Sequence, residues 1–254
     1  DDIEAYDRSI RLKWAKLEHR DFWASGTSYD TVISHYLTLA GVRNVFMVPS
    51  GETLKTDRED WDIGTPYLTI INDLLKEINY NDIWFDLSGK ARIEPYERPS
   101  AAQIDHTYGK SHGLTVLSPS YTTQIDLYNQ PNVFVVVLEN PEYETPMVKT
   151  SENSTPASRL STISRGIRIP EVYKVKNIAS ENALQEYADK LRDESMQLSE
   201  IVEIQTANMP GHGIGDTIAL VTPEMQGIFR EKNWEMSMQA GANMSHTLQR
   251  MVIV

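Results

Sequence analysis

The strongest constraint on this chain is a change of hydrophobic period between residues 64 and 99. The first half carries an apolar stripe at helical spacing, formed by Leu68, Ile71, Leu74, Leu75 and Ile78. Thr65 as N-cap and Pro66 at the first helical position mark its start. Asn79, which tolerates the left-handed conformation, marks its end. This half therefore predicts one amphipathic helix.

The second half switches to a period of two, which predicts a β-hairpin. Apolar residues at 83, 85 and 87 alternate with Trp84 and Asp86, and the strand resumes after a Ser88-Gly89 turn signal. Trp84 gives this strand a large apolar group on each face. Such a hairpin needs a second layer, supplied by another domain or another subunit.

Residues outside this stretch indicate an α+β chain with two main domains. A helix after Ser28, a strand over 43–48, the central helix and the hairpin predict a small α+β domain over residues 22–110. Residues 111–254 predict a β-rich, barrel-like domain with one long helix at about 180–197, and 132–139 is its clearest strand. We expect strands in residues 1–23, a linker over 106–113 and an exposed loop over 152–165.

Composition excludes several classes of function. The chain lacks cysteine, which excludes disulfides and thiolate metal sites. Its net charge of −12 makes it a poor candidate for specific nucleic-acid binding, and no apolar run is long enough to insert into a membrane. The sequence begins Asp1-Asp2-Ile3 without a methionine, and we expect it to be part of a longer protein, with residues 1–21 ending a truncated upstream β-domain.

No catalytic, cofactor-binding or metal-binding residue is predicted. His106, His112 and His212 have no partner at helical spacing and are interpreted as solvated loop histidines. The turn over residues 210–216 contains three glycines in five residues, but a strand follows it, so a dinucleotide-binding loop is not predicted.

Candidate acids and nucleophiles give equally little support for catalysis. Asp82 and Asp86 resemble a pair of glycosidase acids, but Asp86 precedes a turn and is better explained as the residue that caps it. No G-x-S-x-G motif is present around Ser50-Gly51. We therefore do not predict an enzyme.

The segment from Trp61 to Tyr96 resembles the central segment of phage and prophage tail hub proteins, the late-control-type components of the tail base. The shared pattern is W-x-x-G-T-x-x-L-x-I-I-N-x-L-L-x-x-I-N-Y-x-x-x-W-x-D-x-x-G-x-x-x-x-x-P-Y. Ala5 to Lys13, Gly215-Asp216 and the run Ser164 to Ile169 also resemble family features, although Ile167 stands where the family carries a basic residue.

The resemblance implies a structural protein of a tail baseplate or tail-tip hub in the virion, assembled in the bacterial cytoplasm. In that family, trimers form a ring that joins the tail tube to the spike or tip. The expected partners are therefore other copies of the chain, tube proteins and spike proteins. We predict a subunit interface that includes Trp84 and a basic island of Arg159, Arg165 and Arg168.

Two alternatives remain open from the sequence. One is a tail-associated cell-wall hydrolase, for which a cleft with convergent acids would be the mark. The other is a carbohydrate-binding tail module, which an exposed row of aromatic residues would indicate. The tryptophans at 14, 23, 61, 84 and 234 form no such periodic row in the sequence.

Overall fold

A computed structural model describes the following parts of the chain: residues 7–97, 104–109, 116–118, 130–140, 146–156, 158–197, 201–213, 215–223, 225–237, 239 and 241–251. The chain divides into two compact units. Unit 1 comprises Asp1–Glu97, Val135–Thr150 and Val172–Ala188, and unit 2 comprises Arg98–Phe134, Ser151–Glu171 and Asp189–Val254. The domain boundaries given by the sequence stay a prediction.

The first part of unit 1 follows the predicted order of helix, strand, helix and hairpin, with one short helix ahead of it. Its elements are α1 (Ser9–Trp14), α2 (Tyr29–Leu39), β1 (Val45–Met47), α3 (Tyr67–Glu77), β2 (Trp84–Phe85) and β3 (Ala91–Ile93). Helix α3 packs against α1 and α2 and buries the predicted stripe, with Ile71, Leu74 and Leu75 fully covered. Asn79 has a φ of 57°, so its predicted role as a left-handed terminator is confirmed.

The three strands of this region form a small mixed sheet of order β1-β3-β2. Strand β3 pairs in parallel with β1 and antiparallel with β2, which confirms the hairpin. The turn at Ser88-Gly89 uses a positive φ of 72° at Gly89, a conformation that glycine adopts without steric penalty.

Unit 2 is dominated by a six-stranded sheet that curls into a half-barrel. Its strands are β4 (His106–Tyr108), β5 (Val116–Ser118), β9 (Ile201–Ala207), β10 (Thr217–Val221), β11 (Gln226–Met236) and β12 (Asn243–Arg250), in the order β4-β10-β11-β12-β9-β5. Alternate residues point into one apolar core, and its members are Tyr108, Val202, Ile204, Ile218, Leu220, Phe229 and Leu248.

The remaining elements are a second three-stranded sheet and two helices. The sheet has the order β7-β6-β8, made by β6 (Val133–Leu138), β7 (Met147–Glu152) and β8 (Pro170–Val175). Helix α4 spans Thr162–Arg165, and α5 spans Glu181–Gln197, with the Ser180 hydroxyl accepting from the Ala183 N–H at 3.2 Å as its cap. The fold is therefore α+β with a β-rich, barrel-like part and one long helix, as predicted. None of the helices in the described ranges has the length and apolar character that a membrane crossing requires.

Helix α3 begins at Tyr67 with Pro66 at its N-cap and no side-chain cap, so the prediction of Thr65 as N-cap is wrong. Three further local expectations are also wrong. Residues 9–14 form helix α1 rather than a strand. The alternation of Ile10 and Leu12 is too short to distinguish a strand, with period two, from a helix. Asp7 also accepts a hydrogen bond from the Ser9 N–H at the start of the helix. Part of the expected linker is strand β4, which pairs in parallel with β10 more than a hundred residues away. A pairing between strands so far apart in the chain cannot be predicted from the residues next to β4.

The expected exposed loop over 152–165 is the third of these further errors. It ends in α4, and several of its polar side chains are buried, because they hydrogen-bond one another: Asn153 donates to the Ser158 hydroxyl at 2.9 Å, and Ser161 accepts from the Ser164 N–H at 3.0 Å. His112 lies outside the described residues.

Candidate functional site

The β1-β3-β2 sheet presents one buried face and one exposed face. Phe85, Ala91 and Ile93 are buried on one side. On the other side, Arg92 lies in register between Phe46 and Trp84, with exposed fractions of 42% for Phe46 and 37% for Trp84. The Arg92 guanidinium lies 4.9 Å from the Phe46 ring centroid. We call these three residues the Trp84 row.

Asp86 supports the turn beside this row. Its carboxylate accepts from the Ser88 hydroxyl at 2.6 Å, from the Ser88 and Lys90 N–H groups at 3.0 Å, and from Arg92 at 3.0 Å. These hydrogen bonds, led by that of the Ser88 hydroxyl, hold the pKa of Asp86 well below its ordinary value. The carboxylate is thus an ionised turn cap, which agrees with the interpretation from sequence.

The three arginines of the basic island differ in their surroundings. Arg165 donates to the Gln130 carbonyl at 2.7 Å, and Arg168 pairs with Glu152. The hydrogen bond from Thr162, at 2.6 Å, and the pairing with Arg168 lower the pKa of Glu152. Arg159 is exposed. Arg165 and Arg168 therefore stabilise the backbone and the side chain that they contact. The role of the island in subunit contacts stays a prediction.

The histidines depart most from expectation. His212 is 2% exposed and His246 is 1% exposed, and the carboxylate of Glu231, itself 2% exposed, lies between them. Glu231 Oε2 is 2.5 Å from His212 Nδ1, and Oε1 contacts His246 Nδ1. The interpretation of His212 as a solvated loop residue is wrong, because its ring is buried against Glu231 and Tyr108.

Two hydroxyl groups extend this cluster at its outer nitrogen atoms. The Tyr108 hydroxyl lies 2.6 Å from His212 Nε2, and the Thr206 hydroxyl lies 2.8 Å from His246 Nε2. All four ring nitrogens of the two histidines therefore have a polar neighbour. Desolvation, with the negative charge of Glu231 nearby, raises the pKa of Tyr108 to about 12. We call these five residues, Tyr108, Thr206, His212, Glu231 and His246, the histidine cluster.

A second carboxylate borders the histidine cluster. Asp216 Oδ2 lies 3.7 Å from His212 Nδ1, 3.2 Å from His106 Nε2 and 2.7 Å from the Gly213 N–H, which donates to it. His106 is on strand β4, its ring centroid 4.2 Å from that of His212. The expectation that His106 belongs to a solvated linker is therefore also wrong.

Glu231 and His246 were missed because no local spacing connects them. The alternation of side chains along a strand does indicate that both residues point inward. Glu231 is two residues from the buried Phe229, and His246 lies two residues from each of the buried Met244 and Leu248. An ionisable residue at an inward position on each of two adjacent strands indicates a buried polar pair.

Unit 1 contains a buried ionic network of its own. Glu77 accepts hydrogen bonds from Tyr29 and Arg58, each at 2.7 Å, and Arg58 also pairs with Asp60 at 2.7 Å. Burial raises the pKa of Glu77, against the opposing effect of Arg58. The Arg58 guanidinium lies 4.7 Å from the Trp61 ring centroid and borders a cavity of about 310 Å³ within this unit.

Solved structures with the same fold come from tail-like assemblies. A 43 kDa tail protein of prophage MuSo2 from Shewanella oneidensis matches with a TM-score of 0.67 at 10% identity, over 96% of this chain and 72% of that one. A tail protein from Neisseria meningitidis MC58 matches with a TM-score of 0.64 at 12% identity, over 95% and 72%.

A third structure belongs to a secretion system. An Escherichia coli type VI secretion component, described as structurally similar to T4 bacteriophage tail proteins, matches with a TM-score of 0.52 at 10% identity, over 96% of this chain and 54% of that one. No protein-family model and no curated protein matches the sequence. At these identities the likeness concerns the fold, and this chain shares its fold with phage and prophage tail proteins.

Proposed function

We propose that this chain is a structural subunit of a phage or prophage tail baseplate or tail-tip hub. In this proposal it forms a ring that joins the tail tube to the spike or tip, resides in the virion, and assembles in the bacterial cytoplasm. The observation that carries the proposal is the fold likeness, which spans 95–96% of the chain in tail-type proteins from three bacteria. The Trp61–Tyr96 pattern independently resembles the hub family.

The Trp84 row supplies the subunit contact in this proposal. A row of two aromatic side chains and one guanidinium on an exposed sheet face matches the composition of interface centres, where tryptophan, phenylalanine and arginine are enriched. The opposite face of the same sheet is buried, so packing against the interior fixes the position of the sheet that carries the row. Arg159 and Arg168, which are both exposed, are the members of the basic island available to an acidic neighbouring subunit.

The mass in solution tests ring formation. Light scattering is applied to this chain, and to the same chain with any N-terminal sequence its gene encodes ahead of Asp1. We expect a trimer in at least one of the two forms, and for the chain as given that is three times 28.9 kDa. A monomer in both contradicts an intrinsic ring.

A pair of tryptophan variants tests the contact itself. Trp84→Glu places a charge in the Trp84 row and is expected to convert the trimer to a monomer with an unchanged circular dichroism spectrum. Trp14→Glu is the control, because Trp14 is 70% exposed on α1 and outside the row. If both variants stay trimeric, the interface lies elsewhere.

A further inference from the structure

The histidine cluster has the donor set of a metal site. Two imidazole Nδ1 atoms, from His212 and His246, and the carboxylate of Glu231 converge, and their donor atoms all lie within 4.8 Å of one another. All three residues are at most 2% exposed. Nitrogen and oxygen donors of this kind are the ligands that Zn²⁺ takes when cysteine is absent. We propose that the half-barrel of unit 2 binds one divalent transition-metal ion, with Zn²⁺ as the representative ion, at these three residues.

The outer nitrogens support this assignment, since both can carry the proton that metal binding at Nδ1 requires. The Thr206 hydroxyl donates to the Ala207 carbonyl at 3.0 Å, so its oxygen is free to accept from His246 Nε2–H at 2.8 Å. The Tyr108 hydroxyl likewise has a second acceptor, Met209 Sδ at 4.0 Å, and accepts from His212 Nε2–H. Outer hydrogen bonds of this type orient metal-bound histidines.

A single cation can contact all three donors at once. In the metal-bound form each histidine carries its hydrogen on Nε2, and both Nδ1 lone pairs then face the oxygens of Glu231. A divalent ion between them bonds both nitrogens and the carboxylate.

Asp216 borders the three donors on the side of His212. Asp216 Oδ2 lies 3.7 Å from His212 Nδ1 and is oriented by the Gly213 N–H and His106. Neighbouring ligands of a tetrahedral zinc ion with bonds of about 2.0–2.1 Å lie about 3.3 Å apart. The distance from Asp216 Oδ2 to His212 Nδ1 is near that spacing, whereas the Glu231 carboxylate, 2.5 Å from His212 Nδ1, withdraws by about 0.8 Å to admit the ion.

Metal content and a cobalt spectrum test the proposal on the unaltered chain, so no variant has to fold. The chain is stripped with a chelator, dialysed, and titrated with Zn²⁺ and with Co²⁺ at pH 7.5. We expect about one equivalent of either ion per chain by mass spectrometry of the metal, a visible d–d absorption of tetrahedral Co²⁺, and a melting temperature that rises with Zn²⁺ concentration. Less than a tenth of an equivalent, with no cobalt absorption, overturns the proposal.

Three variants assign the ligands. Glu231→Gln is expected to abolish stoichiometric binding, and Tyr108→Phe to weaken it by about 10- to 100-fold while the cobalt absorption is retained, because Tyr108 orients a ligand without binding the metal. His19→Asn is the control, since His19 is exposed in unit 1. Loss of binding in His19→Asn, or full binding in Glu231→Gln, places the metal elsewhere.

Discussion

Glu77 in unit 1 and Glu231 in unit 2 are both buried carboxylates, and they are held by different partners. In unit 1, Glu77 accepts from the guanidinium of Arg58 and the hydroxyl of Tyr29. In unit 2, Glu231 lies between two imidazole rings, His212 and His246. A guanidinium is always charged and has no lone pair to offer, whereas an imidazole exists as a neutral ring, a cation or a metal ligand.

The partners also shift the pKa values of the two carboxyl groups in opposite directions. Burial raises the pKa of Glu77, and the attraction of Arg58 only partly offsets it. Burial acts in the same direction on Glu231, but the hydrogen bonds from His212 and His246 outweigh it and lower the pKa of Glu231. The network in unit 1 is therefore a fixed ion pair, and the network in unit 2 is a set of donors that adapts to a cation.

The largest effect is expected when Arg58 is replaced. Arg58→Met leaves the Glu77 carboxylate buried without its cation, which lowers the free energy of unfolding by about 3–5 kcal/mol at pH 7. Urea unfolding measures it, with Lys174→Met as control because Lys174 pairs with Glu139 at the surface. The double variant Arg58→Met/Glu77→Met removes both charges and is expected to recover most of the loss. A double variant as unstable as Arg58→Met contradicts this account.

The same variant gives a pH dependence of defined sign. A carboxyl group whose pKa is raised by folding stabilises the folded state as the pH falls through its folded pKa, and the gain is complete below the ordinary value of 4.5. Without Arg58 the pKa of Glu77 rises further. The stability gap between Arg58→Met and the unaltered chain is thus expected to narrow from pH 7 towards pH 4.5. A gap that is constant or widens shows that Glu77 does not titrate there.

A smaller effect is expected in unit 2 when the charge of Glu231 is removed. Glu231→Gln keeps the shape of the side chain but turns an amide NH₂ towards one of the two imidazole nitrogens, at a cost of about 1–3 kcal/mol. Unfolding in EDTA measures this hydrogen bonding apart from any metal. Glu235→Gln, at an exposed position of the same strand, is the control and should leave the urea midpoint unchanged. Equal effects of both variants argue against a special role for Glu231.

A matched pair of tyrosines is expected to give effects of different size. Tyr29 donates to a carboxylate, so Tyr29→Phe should cost about 1.5–3 kcal/mol, whereas Tyr108 bonds an imidazole, and Tyr108→Phe should cost about 0.5–1.5 kcal/mol in EDTA. Thermal unfolding of the two variants side by side gives the order. A reversed order means that the two networks do not differ in charge as described.

The sequence predicted those elements whose signals are local. The stripe of α3, the left-handed Asn79 and the Ser88-Gly89 turn each depend on residues within one or two turns of chain, and all are present. Strand β4 and the histidine cluster depend instead on register between distant strands. His212 and Glu231 are 19 residues apart, and Tyr108 and His212 are 104 apart, so only the folded sheet brings them together.

The most direct test of the proposed tail-hub role is the position of the chain in an assembled particle. Antibodies raised against this chain are bound to tails purified from the bacterium or phage that encodes it, and the label is located by electron microscopy. We predict label at one end of the tail, where tube and spike or tip meet. Label along the length of the tube, or its absence from purified tails, contradicts the proposed role as a tail hub subunit.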